Sequence, residues 1–361
     1  MMKKITIILV ICLFYANSPA NAQRIFWWKK DKSEKEQPQP QREATPNQPQ
    51  RETTPTVQPE PASTRPTSPA ANDTPARDNG RITPDVANRI NRENDRIRNT
   101  AEPVVTESPN GNVNWTEQFI EAKGESVIDS ERFSNVGQAR AMATRGAIVV
   151  AQRNLLEIIQ GVQVTSETVV IDMVTTSDVI KTKVEGVIKG AVMFGDPIEK
   201  NGMIEVIMRV PLYGNNGLAG AVYDAVPDQS AAFQAASGSK AAGDKSTVDK
   251  MKDELLGSIF FDFKGQKFDP SLFPVVLDEN NNLLLDLSKI YDPQKGNFPS
   301  YLNASRELLD NLGIKEGVQF IDAISTQPGV IKVDTGKSKG INWTRIGEIA
   351  GAVGKFLLLF L

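Results

Sequence analysis

Several short patterns in this sequence have the residue types and spacing of chemical sites in other proteins. Residues 237–240 (SGSK) have the Ser-x-x-Lys spacing with which a lysine activates a serine in acyl enzymes. Residues 334–338 (DTGKS) end like a phosphate-binding loop. The first pattern lies in an Ala/Ser/Gly-rich stretch without a second motif, and the second has Ile331 where its first glycine belongs. Both patterns are therefore interpreted as coincidences.

A third pattern begins like a calcium-binding loop. Asp278, Asn280 and Asn282 have the spacing of the first oxygen ligands of such a loop. Leu283 replaces the glycine that the loop requires, however, and Lys289 replaces its closing glutamate. We interpret this segment as a solvated turn rather than a metal site.

A group of arginines is the remaining candidate. Arg140, Arg145 and Arg153 share a predicted helix with Glu157. A solvated or ion-paired helix face is the first interpretation, and such a face contributes little to stability. A polar contact between subunits is the alternative.

The composition excludes most hydrolase chemistry. The chain has no histidine, and Cys12 is its single cysteine. Ser-His-Asp triads, Cys-His pairs and the usual zinc sites are therefore ruled out. The formal net charge is −3 without a basic cluster, which disfavours a nucleic-acid partner. The sequence predicts no enzyme, no cofactor and no metal ion.

The first residues have the pattern of a secretory signal peptide at 1–22. Lys3 and Lys4 precede an apolar run at residues 5–15, and Ala20-Asn21-Ala22 supplies the small residues of a cleavage site. Cleavage is predicted after Ala22. The residue before Cys12 is isoleucine, so lipidation is not predicted. The expected location is the periplasm or cell envelope.

Residues 23–114 are predicted to form a long disordered arm. Residues 29–114 contain no aromatic side chain, and the segment is rich in Pro, Gln and Thr, so it cannot bury enough apolar area to fold. A spacer is the first interpretation and a partner-binding tail the second. Trp27 and Trp28 beside lysines suit a membrane interface, or they belong to a longer targeting segment. A helix starting at Pro84 is expected to be isolated and marginal.

Residues 115–213 are predicted to form an α+β domain in which one long helix covers an antiparallel sheet. Asn135 is a helix cap, small and apolar residues recur at helical spacing through 136–160, and Gly161 ends the helix. Asn201-Gly202 is a hairpin turn. The resulting order is approximately β-α-β-β, with strands expected at residues 115–128, 162–171, 182–194 and 203–212.

This domain resembles a family of bacterial envelope proteins. The residues that carry the resemblance are 139–145 (ARAMATR), 151–157 (AQRNLLE), 161–168 (GVQVTSET), 177–180 (SDVI), 184–191 (VEGVIKGA) and 205–212 (EVIMRVPL). The family is that of the Lpp-type twenty-kilodalton lipoproteins, related in fold to the N-terminal domain of the flagellar H-ring assembly protein FlgT. The resemblance implies a structural or ring-assembly role. The missing lipidation cysteine departs from the lipoprotein members, so an outer-membrane anchor does not follow.

An Ala/Ser/Gly-rich linker at 227–250 leads to a second small α+β domain at 251–335. The predicted domain contains a strand at 258–264, a hairpin of 273–277 with 283–287, a helix at 301–312 and a strand pair at 320–325 and 330–333.

Residues 341–361 are predicted to form an amphipathic C-terminal helix with a wide apolar face. Three alternatives are open: docking on the chain's own domain or on a neighbouring subunit, lying on a membrane, or a short buried strand formed by the last residues. The residues assigned to membrane or partner contact are Trp27, Trp28, Ile346, Ile349, Val353, Phe356, Leu357 and Phe360.

The function predicted from these features is that of an exported, non-enzymatic scaffold or assembly protein of the cell envelope. It is expected to bind protein partners through the C-terminal segment and through exposed sheet edges, because an unpaired edge in the first domain offers a mode of association. Other envelope proteins are the expected partners, and self-association is left open. The alternative is a membrane-surface protein that binds lipid directly through its aromatic N-terminus and its C-terminal helix.

Overall fold

The structure is a computed structural model that describes residues 84–233, 257–314, 320–334, 336, 341, 343–353 and 356–361. The predicted signal peptide and the residues Trp27 and Trp28 lie outside the described residues, as do the 237–240 pattern and most of the predicted linker.

Helices and strands are mixed along the chain, and the prediction of an α+β protein is confirmed. The helices are α1 (Pro84–Arg98), α2 (Val136–Gln160), α3 (Val170–Thr176), α4 (Asp178–Lys189), α5 (Leu218–Val222), α6 (Gln229–Ala232), α7 (Arg306–Asn311) and α8 (Trp343–Ala352). The strands are β1 (Glu102–Pro103), β2 (Val105–Ser108), β3 (Gly111–Asn114), β4 (Phe119–Val127), β5 (Val192–Met193), β6 (Ile198–Lys200), β7 (Met203–Pro211), β8 (Ser258–Asp262), β9 (Val275–Leu277), β10 (Leu283–Asp286), β11 (Ser300–Asn303), β12 (Phe320–Ser325), β13 (Val330–Val333) and β14 (Leu357–Phe360).

The smaller sheet is antiparallel and is covered on one face by α2. Its order is β2-β3-β4-β7, with both β5 and β6 on the outer side of β7. The side chain of Asn135 accepts a hydrogen bond from the backbone N–H of Gln138 and so caps α2. The helix buries Ala143, Ala147 and Ala151 against the sheet, and these small side chains allow a close approach.

The strands predicted at 162–171 and 182–194 are wrong over most of their length. Residues 162–169 form a loop in which Gln163 and Val169 make an isolated bridge, and α3 begins at Val170. Helix α4 occupies residues 178–189. The β-branched residues of this region favoured strands, but Ile180, Val184 and Val187 recur at helical spacing and are buried on one face of α4. Ser177 caps α4 by accepting a hydrogen bond from the N–H of Ile180. Periodicity and capping therefore outweigh β-propensity.

The larger sheet is mixed, in the order β1-β11-β14-β8-β12-β13-β9-β10. Strands β11, β14, β8 and β12 run parallel to one another. The predicted hairpin of β9 with β10 and the predicted pair of β12 with β13 are confirmed as antiparallel pairs. The helix predicted at 301–312 is partly wrong, because its first residues form β11 and α7 begins only at Arg306.

The predicted disordered arm is wrong for residues 84–114, which belong to the fold. Ile90 and Ile97 of α1 are 0% exposed. The amide Nδ2 of Asn94 donates a hydrogen bond of 2.9 Å to the carbonyl oxygen of Gly257, whose lack of a side chain lets α1 approach. The residues that follow form β1 on the larger sheet and β2 and β3 on the smaller sheet. Strand pairing and the two buried isoleucines thus hold this segment in the fold without any aromatic side chain.

The predicted C-terminal helix is correct only for its first half, and the alternative of a short buried strand formed by the last residues is confirmed. Helix α8 ends at Ala352, and the last residues form β14, which lies between β11 and β8. Each side chain from Phe356 to Phe360 is at most 5% exposed. A run that is apolar at every position suits a strand with both faces buried, which parallel strands in a sheet interior require.

Aromatic side chains join the two sheets into one core. The rings of Tyr213 and Phe298 stack with their centroids 4.4 Å apart, and Trp115 packs on Tyr301 at 5.8 Å. The hydroxyl of Thr116 donates a hydrogen bond of 2.5 Å to the carbonyl oxygen of Tyr301. The predicted domains 115–213 and 251–335 thus meet across a continuous hydrophobic cluster.

Candidate protein-interaction surface

Charged side chains gather where β8 and β12 run side by side, near the carboxyl end of β8. Ligands of open α/β sheets often bind at such ends. Asp262 accepts hydrogen bonds from Lys264, at 2.8 Å, and from Arg306. Lys264 also lies 2.7 Å from Asp322, which neighbours Asp262 across the strands. The charges therefore neutralise one another, and the group is interpreted as a structural ion-pair network.

The network sets the ionisation of Asp262. Burial alone would raise the pKa of this carboxyl, but hydrogen bonds from Lys264 and Arg306 outweigh burial and lower the pKa to about 2. The unfolded chain has an ordinary aspartate pKa of about 3.9. Ionised Asp262 therefore stabilises the folded state above about pH 4, and this stabilisation is lost as the pH falls toward about 2.

Replacing Asp262 with asparagine is expected to lower the free energy of unfolding at pH 7 by about 1–3 kcal/mol, because charge-assisted hydrogen bonds are lost. The stability of this variant should also fall less between pH 4 and pH 2 than that of the unmodified protein. Urea unfolding at both ends of this range measures the two effects. The control is Asp310→Asn, at an exposed aspartate of α7. An unchanged acid dependence in Asp262→Asn would contradict this assignment.

In the predicted turn at 278–282, the side chain of Asp278 accepts hydrogen bonds from other residues of the turn. The Oδ1 of Asp278 accepts hydrogen bonds from the backbone N–H groups of Asn280 and Asn282, and its Oδ2 accepts one from the amide of Asn282. Asp278 is buried rather than solvated. Within the part of the chain that the structure describes, no group of three or more acidic, histidine or cysteine side chains is arranged to hold a metal ion.

The C-terminal contact residues lie in the core, which corrects their assignment to a surface. Ile349, Val353, Phe356, Leu357 and Phe360 are each at most 5% exposed. Ile346 is partly buried against the same core. Their burial inside the chain's own fold removes them from contact with a membrane or a partner.

An exposed apolar group, which we call the edge patch, lies on the outer side of β7. Its members are Val192, Phe194 and Ile198, which are 64%, 53% and 55% exposed. Met193, which is 36% exposed, pairs with the buried Met208 and therefore lies on the opposite face of the sheet. Large apolar side chains are normally scattered singly over a surface, and a contiguous group marks a contact site. The edge patch is the strongest candidate for a functional surface in the described residues.

The backbone that carries the edge patch is an interrupted edge strand. Val192 pairs with Arg209 and Ile198 with Glu205, so β5 and β6 follow the same side of β7. Gly195, with a φ of 75°, interrupts the strand between them. In the part of the chain that the structure describes, neither β5 nor β6 pairs with a further strand. Their outer N–H and C=O groups are therefore available to another chain.

A cation–π contact holds Phe194 in place. The guanidinium carbon of Arg209 lies 3.2 Å from the ring centroid of Phe194 and 4.0 Å from that of Phe119. The Nε of Arg209 also donates a hydrogen bond of 2.7 Å to Glu121. The exposed phenylalanine is thus ordered before any partner arrives, which reduces the entropy lost on binding.

Ion pairs lie beside the edge patch on both faces of the sheet. On the open face of the sheet, Lys123 forms ion pairs with Glu125 and Glu205. Arg140 of α2 forms an ion pair of 2.7 Å with Glu199 of β6, while Arg145, Arg153 and Glu157 are exposed. An apolar centre with a polar rim is the usual anatomy of a protein interface.

An exposed sheet edge in this domain was expected, but the residues of the edge patch were not predicted, because residues 182–194 were assigned to one continuous strand. The sequence nevertheless contains a local indication of an edge strand. Gly190 ends the preceding helix, and Asp196-Pro197 follows the apolar residues 192–194 almost at once. A run this short between two breaks predicts an edge strand rather than an internal one.

Comparisons of the chain with protein-family models and with curated proteins found no match. In the described part of the chain, no helix has both the length and the apolar character that crossing a bilayer requires.

Proposed function

We propose that this protein is an exported, non-enzymatic scaffold or assembly protein of the cell envelope that binds other envelope proteins through the edge patch. The observation that carries the proposal is the exposed phenylalanine, Phe194, which Arg209 fixes beside a strand edge that pairs with no further strand among the described residues. Export rests on the signal pattern of residues 1–22. A role like that of the flagellar H-ring protein rests on the resemblance of residues 115–213.

Strand addition is the mode of binding that this surface fits best. An extended segment of a partner would pair with the outer backbone groups of β5 and β6, and its side chains would pack on Val192, Phe194 and Ile198. Backbone hydrogen bonds supply affinity in this mode, and the side-chain contacts supply specificity. The break at Gly195 limits the pairing to short stretches on either side.

The membrane-surface alternative is weakened by the burial of its C-terminal contact residues. Of the residues assigned to lipid contact, Trp27 and Trp28 remain as candidates, outside the described part of the chain. Purified protein mixed with protein-free liposomes separates the two functions, because only direct lipid binding predicts that the protein floats with the vesicles.

The double substitution Val192→Lys and Ile198→Lys is expected to release the protein from its envelope complex, because two lysines place unpaired charge in an apolar contact. The measurement is the set of envelope proteins that co-purify with each variant after crosslinking in cells. The matched control is Val179→Lys, at a valine of α4 that is 65% exposed and outside the edge patch.

Circular dichroism on all of these proteins confirms that each variant folds. Loss of the co-purifying proteins in the double variant alone supports the proposal. Equal recovery from the double variant and from the control would overturn it. Flagellar basal-body proteins among the captured partners would support the ring-assembly form of the proposal.

A further inference from the structure

A second surface feature, independent of the edge patch, is a groove beside α4. Its volume is about 910 Å³. One wall is a face of α4 with Lys183, Gly186 and Gly190, and the opposite wall includes Asn216, Tyr223 and Gln294. This volume is at the upper end of the range that small-molecule sites occupy.

The wall that α4 forms contains a glycine that internal packing does not explain. Gly186 lies in the interior of α4, where glycine destabilises a helix relative to alanine. A Cβ atom added to it would meet no atom within 4 Å. Elsewhere in the fold, as at Gly124, a glycine permits the close approach of another segment. At Gly186 the open space belongs to the groove, so the missing side chain leaves room for a ligand.

The charges in the groove cancel. The ammonium group of Lys183 lies 2.6 Å from the carboxylate of Asp224, and these two are the charged residues of its lining. An ionic ligand would have to displace one of them to find a counter-charge. The groove is therefore matched to an uncharged ligand.

The polar groups that remain in the groove are amides. Asn215, Asn216 and Gln294 are exposed, and within the described residues their side chains form no hydrogen bond. Each amide offers both a donor and an acceptor, which suits hydroxyl groups because a hydroxyl also donates and accepts. Pro211, Pro293 and the ring of Tyr223 add apolar surface between these amides.

We propose that this groove binds an uncharged oligosaccharide. The ring C–H groups of a sugar would lie on Tyr223 and the prolines, while its hydroxyls would exchange hydrogen bonds with the amides. An amphipathic ligand of this kind uses the apolar and the amide surfaces together, and it requires no counter-ion. Gly186 would permit the sugar to lie directly on the backbone of α4.

Titration calorimetry of the full chain with two neutral tetrasaccharides, chitotetraose and cellotetraose, tests this proposal. Binding of at least one of them is expected. Gly186→Leu is expected to weaken that binding by at least about tenfold, because the new side chain fills the groove. The same substitution should raise the thermal unfolding midpoint, since leucine favours a helix more than glycine does. Loss of binding in a stabilised variant cannot result from unfolding.

The double variant Asn215→Ala and Asn216→Ala is expected to weaken binding by at least about tenfold as well. Val179→Leu, on the same helix but outside the groove, should bind like the unmodified protein. The edge-patch variant Val192→Lys with Ile198→Lys should also retain binding, so this proposal and the scaffold proposal fail independently. Absence of binding to both sugars at millimolar concentration, or undiminished binding by Gly186→Leu, would overturn the proposal.

Discussion

Replacing Gly124 with valine is expected to abolish cooperative folding. A Cβ atom at this position in β4 would lie 2.1 Å from the carbonyl oxygen of Ala147 and 2.3 Å from the backbone nitrogen of Ala151. Both atoms belong to the backbone of α2, so no side-chain movement relieves the overlap. The whole helix would have to move off the sheet, and we expect a loss of more than about 4 kcal/mol in the free energy of unfolding.

Urea unfolding followed by tryptophan fluorescence measures this loss. The matched control is Gly186→Ala, because an added Cβ there meets nothing and alanine favours a helix. The control should gain about 0.8 kcal/mol. A midpoint for Gly124→Val equal to that of the unmodified protein would show that α2 does not pack on β4 as described.

Removal of residues 356–361 is expected to prevent folding, and this is the second large effect. The deletion takes β14 from between β11 and β8, which leaves the facing backbone groups of both strands without partners. It also removes five large apolar side chains that are each at most 5% exposed. Burial of each contributes about 1.5–3 kcal/mol, so the sum approaches or exceeds the total stability of about 5–15 kcal/mol typical of a protein.

Limited proteolysis and near-ultraviolet circular dichroism distinguish a folded from an unfolded truncated chain. Phe360→Leu, which keeps an apolar residue in β14, should remain folded and protease-resistant. A truncated protein that keeps its protease resistance would contradict the position of β14 inside the sheet.

Local signals made α2 predictable from the sequence. Asn135 and Gly161 mark its two ends, and Ala139, Ala143 and Ala147 recur on its buried face. The turn at Asn201-Gly202 is equally local, because both residues adopt positive φ angles that asparagine and glycine tolerate best. These elements depend on neighbouring residues, and a single sequence contains that information.

Elements that depend on distant partners were not predictable in the same way. An unbroken apolar run such as residues 356–361 fits a buried strand or a buried helix equally well. Its strand conformation is decided by β11 and β8, which precede it by many residues in the chain. The docking of helix α1 also depends on a distant residue, because α1 packs against Gly257.

In-cell photo-crosslinking at the edge patch is the most direct test of the scaffold proposal. One variant carries a photo-reactive amino acid in place of Ile198, which is 55% exposed, and a control variant carries it in place of Val179, which is 65% exposed. The proposal predicts discrete adducts with envelope proteins or with a second copy of the chain at position 198, and few at position 179. Identical adduct patterns at the two positions, or none at position 198, would contradict it.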